Sequence, residues 1–283
     1  MSINISDEVK EKLYRIRPRS VVYLFSGGKD SSLALLLTRD FIKKFCEEMK
    51  CKVFIVYIYV TGNTHPLNAY CAQYILKWHE ITYGFTPVVL ARNKLFTDYM
   101  CKYGFEILRG RWCYTEFKEK PLREFEYTIP RPVIEIDGMS PGDSLWRSDI
   151  IDSEIQEIRT NSGRHYWSWH PLYSLRLDSK QKLEMLKQFP EFGCVVKLYE
   201  VFGDSMNCSI CPYKNREKLM KLNAVEPGSI YYNAIDICLR SDKWKDKFSA
   251  LNNERRITDF IKNAKDEEHG KNKQMLQRVL HSS

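Results

Sequence analysis

A glycine-rich loop between a short apolar segment and a long amphipathic one constrains this chain more than any other feature. Residues 21–25 are β-branched and aromatic and predict a buried strand, while residues 31–49 carry apolar side chains at helical spacing. Adjacent glycines between them allow backbone conformations and close approaches that other residues do not permit. The start of the helix adds N–H groups and partial positive charge, so the loop predicts a phosphate or pyrophosphate site. The candidate nucleotide-binding residues of this loop are Ser26, Gly27, Gly28, Lys29, Asp30, Ser31 and Ser32.

The same alternation of strand and helix continues along the chain. Further strands are predicted at residues 53–60, 88–91 and 132–136, and further helices at residues 67–83 and 94–103. Such alternation is typical of parallel strands joined by right-handed crossovers, and it predicts a doubly wound, mainly parallel α/β sheet. Residues 137–168 are rich in Gly, Ser and Asp and are interpreted as a substrate loop.

The last quarter of the chain has a different character. Beyond residue 212, four segments have helical character and no strand-like run separates them. This region holds 15 Lys and Arg against 10 Asp and Glu, within a chain of net charge +8. We therefore predict an α/β domain over residues 1–211 and a basic helical C-terminal region over residues 212–283. A basic balance permits a nucleic-acid partner without requiring one.

Composition predicts a globular cytoplasmic protein without membrane contact. Of the 283 residues, 43% are hydrophobic and 28% are charged, which argues against disorder. The longest apolar run, residues 53–60, is far shorter than the ~20 residues of a membrane span. The first twelve residues are mixed and polar, so no secretory signal is expected. Nine cysteines in such a chain argue against a disulfide framework, and buried thiols are expected at Cys46, Cys51, Cys71 and Cys101.

The loop at residues 26–32 resembles the signature of the PP-loop ATP pyrophosphatase superfamily, with Lys29 and Asp30 matching in order. The mononucleotide loop Gly-x-x-x-x-Gly-Lys-Ser/Thr is excluded because its spacing differs. The resemblance implies that ATP with Mg²⁺, or an adenylylsulfate-type nucleotide, binds here, and that Lys29 and Asp30 are catalytic. The structural alternative is an ordinary Gly-rich turn in which serine caps the helix.

Four more segments resemble the phosphoadenosine phosphosulfate (PAPS) reductase branch of that superfamily and follow its order over roughly residues 20–215. They are the turn Thr61-Gly62-Asn63-Thr64-His65-Pro66, the stretch Arg111-Trp112-Cys113 with Lys118, the loop from Gly138 to Arg147, and Trp169-His170-Pro171-Leu172. Asp143 stands where the branch usually has Glu, and an Arg common early in that loop is absent. The resemblance implies that Thr61, Gly62, Gly138 and Arg147 also contact the nucleotide.

A C-x-x-C-P element at residues 208–212 predicts a metal site, because thiolates two residues apart can hold one metal or cluster. Cys113 lies beside Arg109 and Arg111, which favour its thiolate and make it a catalytic candidate. Iron–sulfur members of the PAPS reductase branch bind a 4Fe–4S cluster with a cysteine at this place and a downstream C-x-x-C. The resemblance therefore implies Cys113, Cys208 and Cys211 as ligands. Cys194 is a candidate fourth ligand, an iron without a protein ligand is the alternative, and zinc or a metal-free pair stays open.

Three functions follow from these features. The first is an iron–sulfur sulfurtransferase that uses ATP to activate a nucleic acid, of the tRNA thiolation or DNA phosphorothioation type, with a sulfur donor or a thiol or electron donor protein as partner. The second is a reductase of adenylylsulfate or its 3′-phosphate form. Such reductases normally use a cysteine near the C-terminus, whereas the last cysteine here is Cys238. The third is a zinc-containing, non-catalytic nucleic-acid-binding module.

Overall fold

A computed structural model describes residues 5–103, 112–140, 151–160, 163–175, 177–209 and 211 of the chain. The chain divides into two compact units, Met1–Phe96 with Trp112–Ser209, and Thr97–Arg111 with Ile210–Ser283. The predicted helical region 212–283 lies outside the described residues, and so does Arg147. The division into domains at residue 211 therefore stays a prediction.

The first unit contains a sheet and the helices that flank it. The strands are β1 Ser20–Phe25, β2 Lys52–Tyr59, β3 Thr86–Ala91, β4 Val133–Ile136, β5 Ile155–Arg159 and β6 His165–Trp169. The helices of the described residues are α1 Asp7–Ile16, α2 Lys29–Met49, α3 Pro66–Tyr83, α4 Phe96–Tyr103, α5 Trp112–Tyr114, α6 Lys120–Glu126, α7 Ser179–Lys187 and α8 Gly193–Phe202. A π-helical segment, Thr115–Glu119, joins α5 to α6, and Pro190–Phe192 forms a 3₁₀ turn before α8. Residues 97–103 of α4 belong to the second unit.

The sheet is mainly parallel, which confirms the fold class predicted from the sequence. Its strand order is β3-β2-β1-β4-β6-β5. Strand β1 pairs in parallel with β2 on one side and with β4 on the other, and only the edge strand β5 is antiparallel to its neighbour β6. Chain order therefore runs outwards from β1 in one direction up to β3 and then resumes on the other side at β4. This reversal makes the gap between β1 and β4 the switch point of the sheet, where open α/β sheets bind ligands.

Alternate side chains of β1 are buried on opposite faces of the sheet. Val21, Tyr23 and Phe25 join the large core formed with α2, α3 and α8, whereas Val22 packs in a second core with Leu122 of α6. Burial on both faces explains why this strand is a continuous apolar run rather than an alternating pattern.

The strands and helices predicted before residue 137 are present within a few residues of their expected ends. The described strands and helices that follow residue 137 were not predicted. Residues 137–168, interpreted as a loop, include β5 and part of β6. Strand β5 lies at the edge of the sheet, and only its first residue, Ile155, is buried, so its sequence lacks a strong apolar pattern. The start of α7 is marked by a capping box, in which the side chains of Asp178 and Gln181 each accept the other's backbone N–H.

Two of the four cysteines expected as buried thiols are joined instead. Cys46 and Cys51 form a disulfide with a Cα–Cα distance of 4.7 Å. The helix α2 ends at Lys50 in a left-handed conformation, with φ of 55°, so the chain turns back and the Cys51 N–H donates to the Cys46 carbonyl. The disulfide therefore joins two residues that are close in the sequence. Cys71 is a buried thiol, as expected.

No helix in the described part of the chain is both long enough and apolar enough to cross a membrane.

Candidate functional site

The glycine-rich loop lies at the carboxyl end of β1, beside the switch point of the sheet. Gly27 adopts a left-handed conformation with φ of +70°, and a Cβ there would lie 2.6 Å from the Asn68 side-chain nitrogen. Gly28 is the N-cap of α2 and has no side-chain cap of its own. Gly27 is therefore required by the path of the backbone, which brings the N-terminus of α2 to the switch point.

Two serines and a tyrosine fix the conformation of this loop. The Ser31 hydroxyl accepts the Ser26 N–H at 3.2 Å and donates to the Gly28 carbonyl at 3.1 Å. The Lys29 N–H donates to the hydroxyl of Tyr199 on α8 at 3.3 Å, and the Lys29 ammonium lies 5.7 Å from the centre of the Tyr199 ring. Nothing in the sequence pattern pointed to Tyr199, because it is 170 residues away along the chain.

A cluster of three charges lies at the first turn of α2. The Asp30 carboxylate accepts from Lys29 Nζ at 2.7 Å and from Lys182 Nζ of α7 at 2.7 Å. Burial raises the pKa of the Asp30 carboxyl, but the two lysines outweigh burial and hold that pKa below its usual value. Asp30 is therefore a carboxylate at neutral pH, and these three groups together carry one net positive charge.

The predicted nucleotide contact Gly138 lies directly against the same turn. A Cβ at Gly138 would be 2.4 Å from the carbonyl carbon of Asp30 and 2.5 Å from the Ser31 nitrogen. The preceding residue, Asp137, accepts the Met139 N–H at 2.8 Å and lies 2.8 Å from Nδ1 of the buried His170. The chain leaving β4 is thus fixed against the glycine-rich loop across the switch point.

The turn after β2 binds the segment that carries Cys208. Thr64 donates to the Asn207 carbonyl at 2.9 Å, and the Ser209 N–H donates to the Asn63 carbonyl at 2.8 Å. The predicted nucleotide contact Thr61 donates its hydroxyl to the Arg92 carbonyl, and Gly62 supplies the positive φ, +80°, of the turn.

Asn68 connects this cysteine segment to the glycine-rich loop. Its side-chain nitrogen donates to the Ser26 carbonyl at 3.3 Å and to the Ser205 carbonyl at 2.7 Å, and its oxygen accepts from the Tyr57 hydroxyl. Two segments that the sequence predicted separately are therefore neighbours, although the asparagine that joins them carried no recognisable signal.

Lys118 and Cys208 both contact the side chain of Asn207. The Lys118 ammonium donates to Asn207 Oδ1 at 3.3 Å, and the Cys208 thiol lies 3.7 Å from that oxygen. Cys113 lies on α5, five residues before Lys118.

Cys194, a third predicted metal ligand, makes a different contact. Cys194, on α8, contacts Cys71 of α3, with its sulfur 3.9 Å from the Cys71 carbonyl oxygen. A hydrogen bond from Cys71 and the backbone N–H groups at the start of α8 outweigh burial and lower the pKa of the Cys194 thiol. Cys211 belongs to the second unit. Among the residues that the structure describes, no three His, Cys, Asp or Glu side chains form a group that could hold a metal ion. The ligand set Cys113, Cys208, Cys211 and Cys194 stays a prediction.

Together, the fold and this site define a mainly parallel α/β protein with a basic, glycine-rich loop at the switch point of its sheet. No known protein-family profile matches the chain. The chain is 24% identical over 226 residues to an uncharacterised protein of Methanocaldococcus jannaschii, an alignment that covers 76% of this chain and 47% of the archaeal protein. The chain thus spans about half the length of the curated relative it matches. Among solved structures, the phosphoadenylyl-sulfate reductase of Candida auris in its phosphate complex has a TM-score of 0.38 and 15% identity, covering 66% of this chain and 89% of the reductase. At this level of similarity neither protein assigns a function to the chain.

Proposed function

We propose that this chain binds ATP at the glycine-rich loop and uses it to adenylylate an oxygen of a nucleic acid, as the first half of a sulfur-transfer reaction. The observation that carries the proposal is the construction of the loop at the switch point. The N-terminus of α2, two lysines and the close approach of Gly138 converge there. Such an arrangement favours a polyanionic phosphate chain over a neutral ligand.

The chemistry of activation follows from these residues. An acceptor oxygen attacks the α-phosphorus of ATP, the bond to the β-phosphate oxygen breaks, and pyrophosphate leaves. Negative charge that develops on the leaving pyrophosphate is stabilised by Lys29 and the N–H groups of α2. A sulfide-level sulfur from a donor then replaces the activated oxygen, and AMP leaves. Cys208 and Cys113 are the proposed sulfur-handling groups. The segment before Cys208 is hydrogen-bonded to Asn68, which also contacts the loop. Cys113 is proposed from the resemblance of its segment to the PAPS reductase branch.

The activation step is tested by pyrophosphate release from ATP in the presence of tRNA, duplex DNA or neither. We expect release that depends on one of the nucleic acids, and loss of release in both Lys29→Ala and Asp30→Ala. The Tm should be unchanged in Lys29→Ala but lowered in Asp30→Ala, because Asp30 is the ion-pair partner of the buried Lys182. Lys77→Ala is the matched control, since this lysine is exposed on α3 and pairs only with Glu80 among the ion pairs of the described residues. Sulfite release from adenylylsulfate with a thiol, without nucleic-acid-dependent pyrophosphate release, would instead identify a reductase and overturn the proposal.

The proposed cluster has its own test. After anaerobic purification, iron and acid-labile sulfide are measured together with zinc. We expect iron and sulfide with absorbance near 400 nm, lost in Cys208→Ser and retained in Cys71→Ala, whose thiol lies on α3 against Cys194. A colourless, zinc-loaded protein would contradict the cluster, and full iron retention in Cys208→Ser would contradict this ligand. The activation step does not depend on either result.

A further inference from the structure

A patch of exposed cations lies at the amino edge of the sheet, at the opposite end of β1 from the glycine-rich loop. This amino-edge patch consists of Arg17, Arg19, Lys50 and Lys52. Arg19 directly precedes β1 and Lys52 begins β2, and the Lys52 N–H donates to the Arg19 carbonyl at 3.0 Å. Arg17 and Lys50 are the residues at which α1 and α2 end, shortly before those two strands begin. The fold therefore gathers four positive charges from two separate segments at one edge.

Helix ends alone do not explain these cations. A cation at the C-terminus of a helix is favourable because of the partial negative charge there, and this accounts for Arg17 and Lys50. Arg19 and Lys52 lie outside the helices, so the same reason does not apply to them. Among the ion pairs of the described residues, none includes a member of the patch. Like charges gathered at one edge repel one another, and an anionic ligand relieves that repulsion.

An open cavity of about 730 Å³ lies beside the patch, within the size range of ligand sites. Lys50 and Lys52 line it together with Lys43, whose ammonium pairs with Glu47 at 3.3 Å. Aromatic rings form part of its wall, namely those of Phe54, Tyr83 and Phe85. Ammonium groups beside aromatic rings are the combination that binds the phosphates and bases of a nucleic acid.

The distance from the patch to the glycine-rich loop indicates the size of the ligand. Strand β1 separates them and has six residues, which span about 20 Å at about 3.3 Å per residue. A small nucleotide bound at the loop does not extend over the whole length of a strand. A nucleic-acid duplex of that length carries about twelve phosphate charges, so one part of it can contact the patch while another part reaches the loop.

We propose that the amino-edge patch and its cavity bind the phosphate backbone of the nucleic acid that is activated at the glycine-rich loop. This inference rests on the proposed function and names the surface that holds the acceptor substrate. Contacts to phosphates carry no sequence information, so the patch supplies affinity and orientation and leaves the choice of base to the loop region.

The test is the binding of fluorescently labelled tRNA and of a labelled DNA duplex, followed by anisotropy between about 50 and 200 mM salt. The two probes share the phosphate backbone, and the one that is lost identifies the nucleic acid. We expect Lys50→Gln/Lys52→Gln to bind it roughly ten- to a hundredfold more weakly at the lowest salt concentration. The slope of log Kd against log salt should fall by about two, one for each phosphate contact. The Tm and the ATP affinity should not change, because both lysines are exposed and far from the loop.

A matched control removes the same charge elsewhere. Lys77→Gln/Lys187→Gln replaces exposed lysines of α3 and α7, and nucleic-acid affinity should change less than about threefold. In the pyrophosphate-release assay, Lys50→Gln/Lys52→Gln should need more nucleic acid for half-maximal release than the control does.

The results separate the patch from the proposed function. An unchanged affinity and salt slope in Lys50→Gln/Lys52→Gln overturns the patch. An equal loss in the control variant also overturns it, because net charge would then be the cause, and so does a wild type that binds neither probe. Pyrophosphate release that does not depend on nucleic acid overturns the proposed function, while the binding measurements still decide on the patch.

Discussion

Replacing Gly138 by alanine tests the contact between the segment that follows β4 and the first turn of α2, on which the candidate site depends. The added Cβ would lie 2.4 Å from the Asp30 carbonyl carbon, 2.5 Å from the Ser31 nitrogen and 2.6 Å from the Asp30 carbonyl oxygen. All three atoms are backbone, so no side chain can rotate away, and the gap must open from 2.4 Å to at least 3.0 Å. The φ of Gly138 is not in the left-handed region, so the cost comes from the contact alone.

We expect Gly138→Ala to lower the free energy of unfolding by about 2–3 kcal/mol, the upper part of the range for an inserted methyl group. For a chain of this size, that corresponds to a fall in Tm of roughly 4–12 °C. ATP affinity should fall by more than tenfold, because the displaced turn contains Asp30 and the N–H groups at the start of α2.

The assay is thermal unfolding followed by circular dichroism, with ATP titrated into the same preparations. Gly193→Ala is the control: a Cβ there meets no atom within 4 Å, and its φ of −55° suits alanine. It should change the free energy of unfolding by less than about 0.5 kcal/mol. If Gly138→Ala has the same Tm and the same ATP affinity as the wild type, the inferred close contact between Gly138 and the first turn of α2 is refuted.

Three further predictions concern buried polar groups. Arg164→Met should cost about 3–5 kcal/mol in urea unfolding, because Glu126 and Glu135 would lose their buried counter-ion; a loss below 1 kcal/mol would contradict this pairing. Asn68→Ala should cost about 2–3 kcal/mol, since its partner groups are left unpaired, and an unchanged Tm would refute it. Burial lowers the pKa of His79 to about 4, below its ordinary 6.5. As the pH falls, the unfolded chain therefore binds the proton at a higher pH than the folded chain does. Stability should therefore fall by roughly 3 kcal/mol as the pH drops from 6.5 to 4, and His79→Gln should flatten that slope.

The fold was predictable where the information is local. Residues 21–32 combine a strand, two glycines and a helix start within one short segment, so both the loop and its place in the sheet follow from the sequence. Lys182 could not be predicted in the same way. It lies 152 residues from Asp30, on a polar helix where a lysine is ordinarily a solvated surface residue.

The site residues implied by the resemblance stay predictions. Gly138 is in contact with the first turn of α2. The Thr61 hydroxyl donates to the Arg92 carbonyl, and a motif cannot distinguish a side chain that binds a ligand from one that closes a turn. The cysteine ligand set depends on Cys211, which belongs to the second unit.

Asn68 explains why the loop and the segment before Cys208 act as one structure. The asparagine is completely buried, and its side chain makes three hydrogen bonds, to Tyr57, Ser26 and Ser205. If the loop moved without the cysteine segment, at least one of these buried groups would lose its partner, at a cost of about 1–3 kcal/mol. That cost opposes a movement of Ser26 that leaves Ser205 in place. The glycine-rich loop is thereby coupled to the segment before Cys208 through a single side chain.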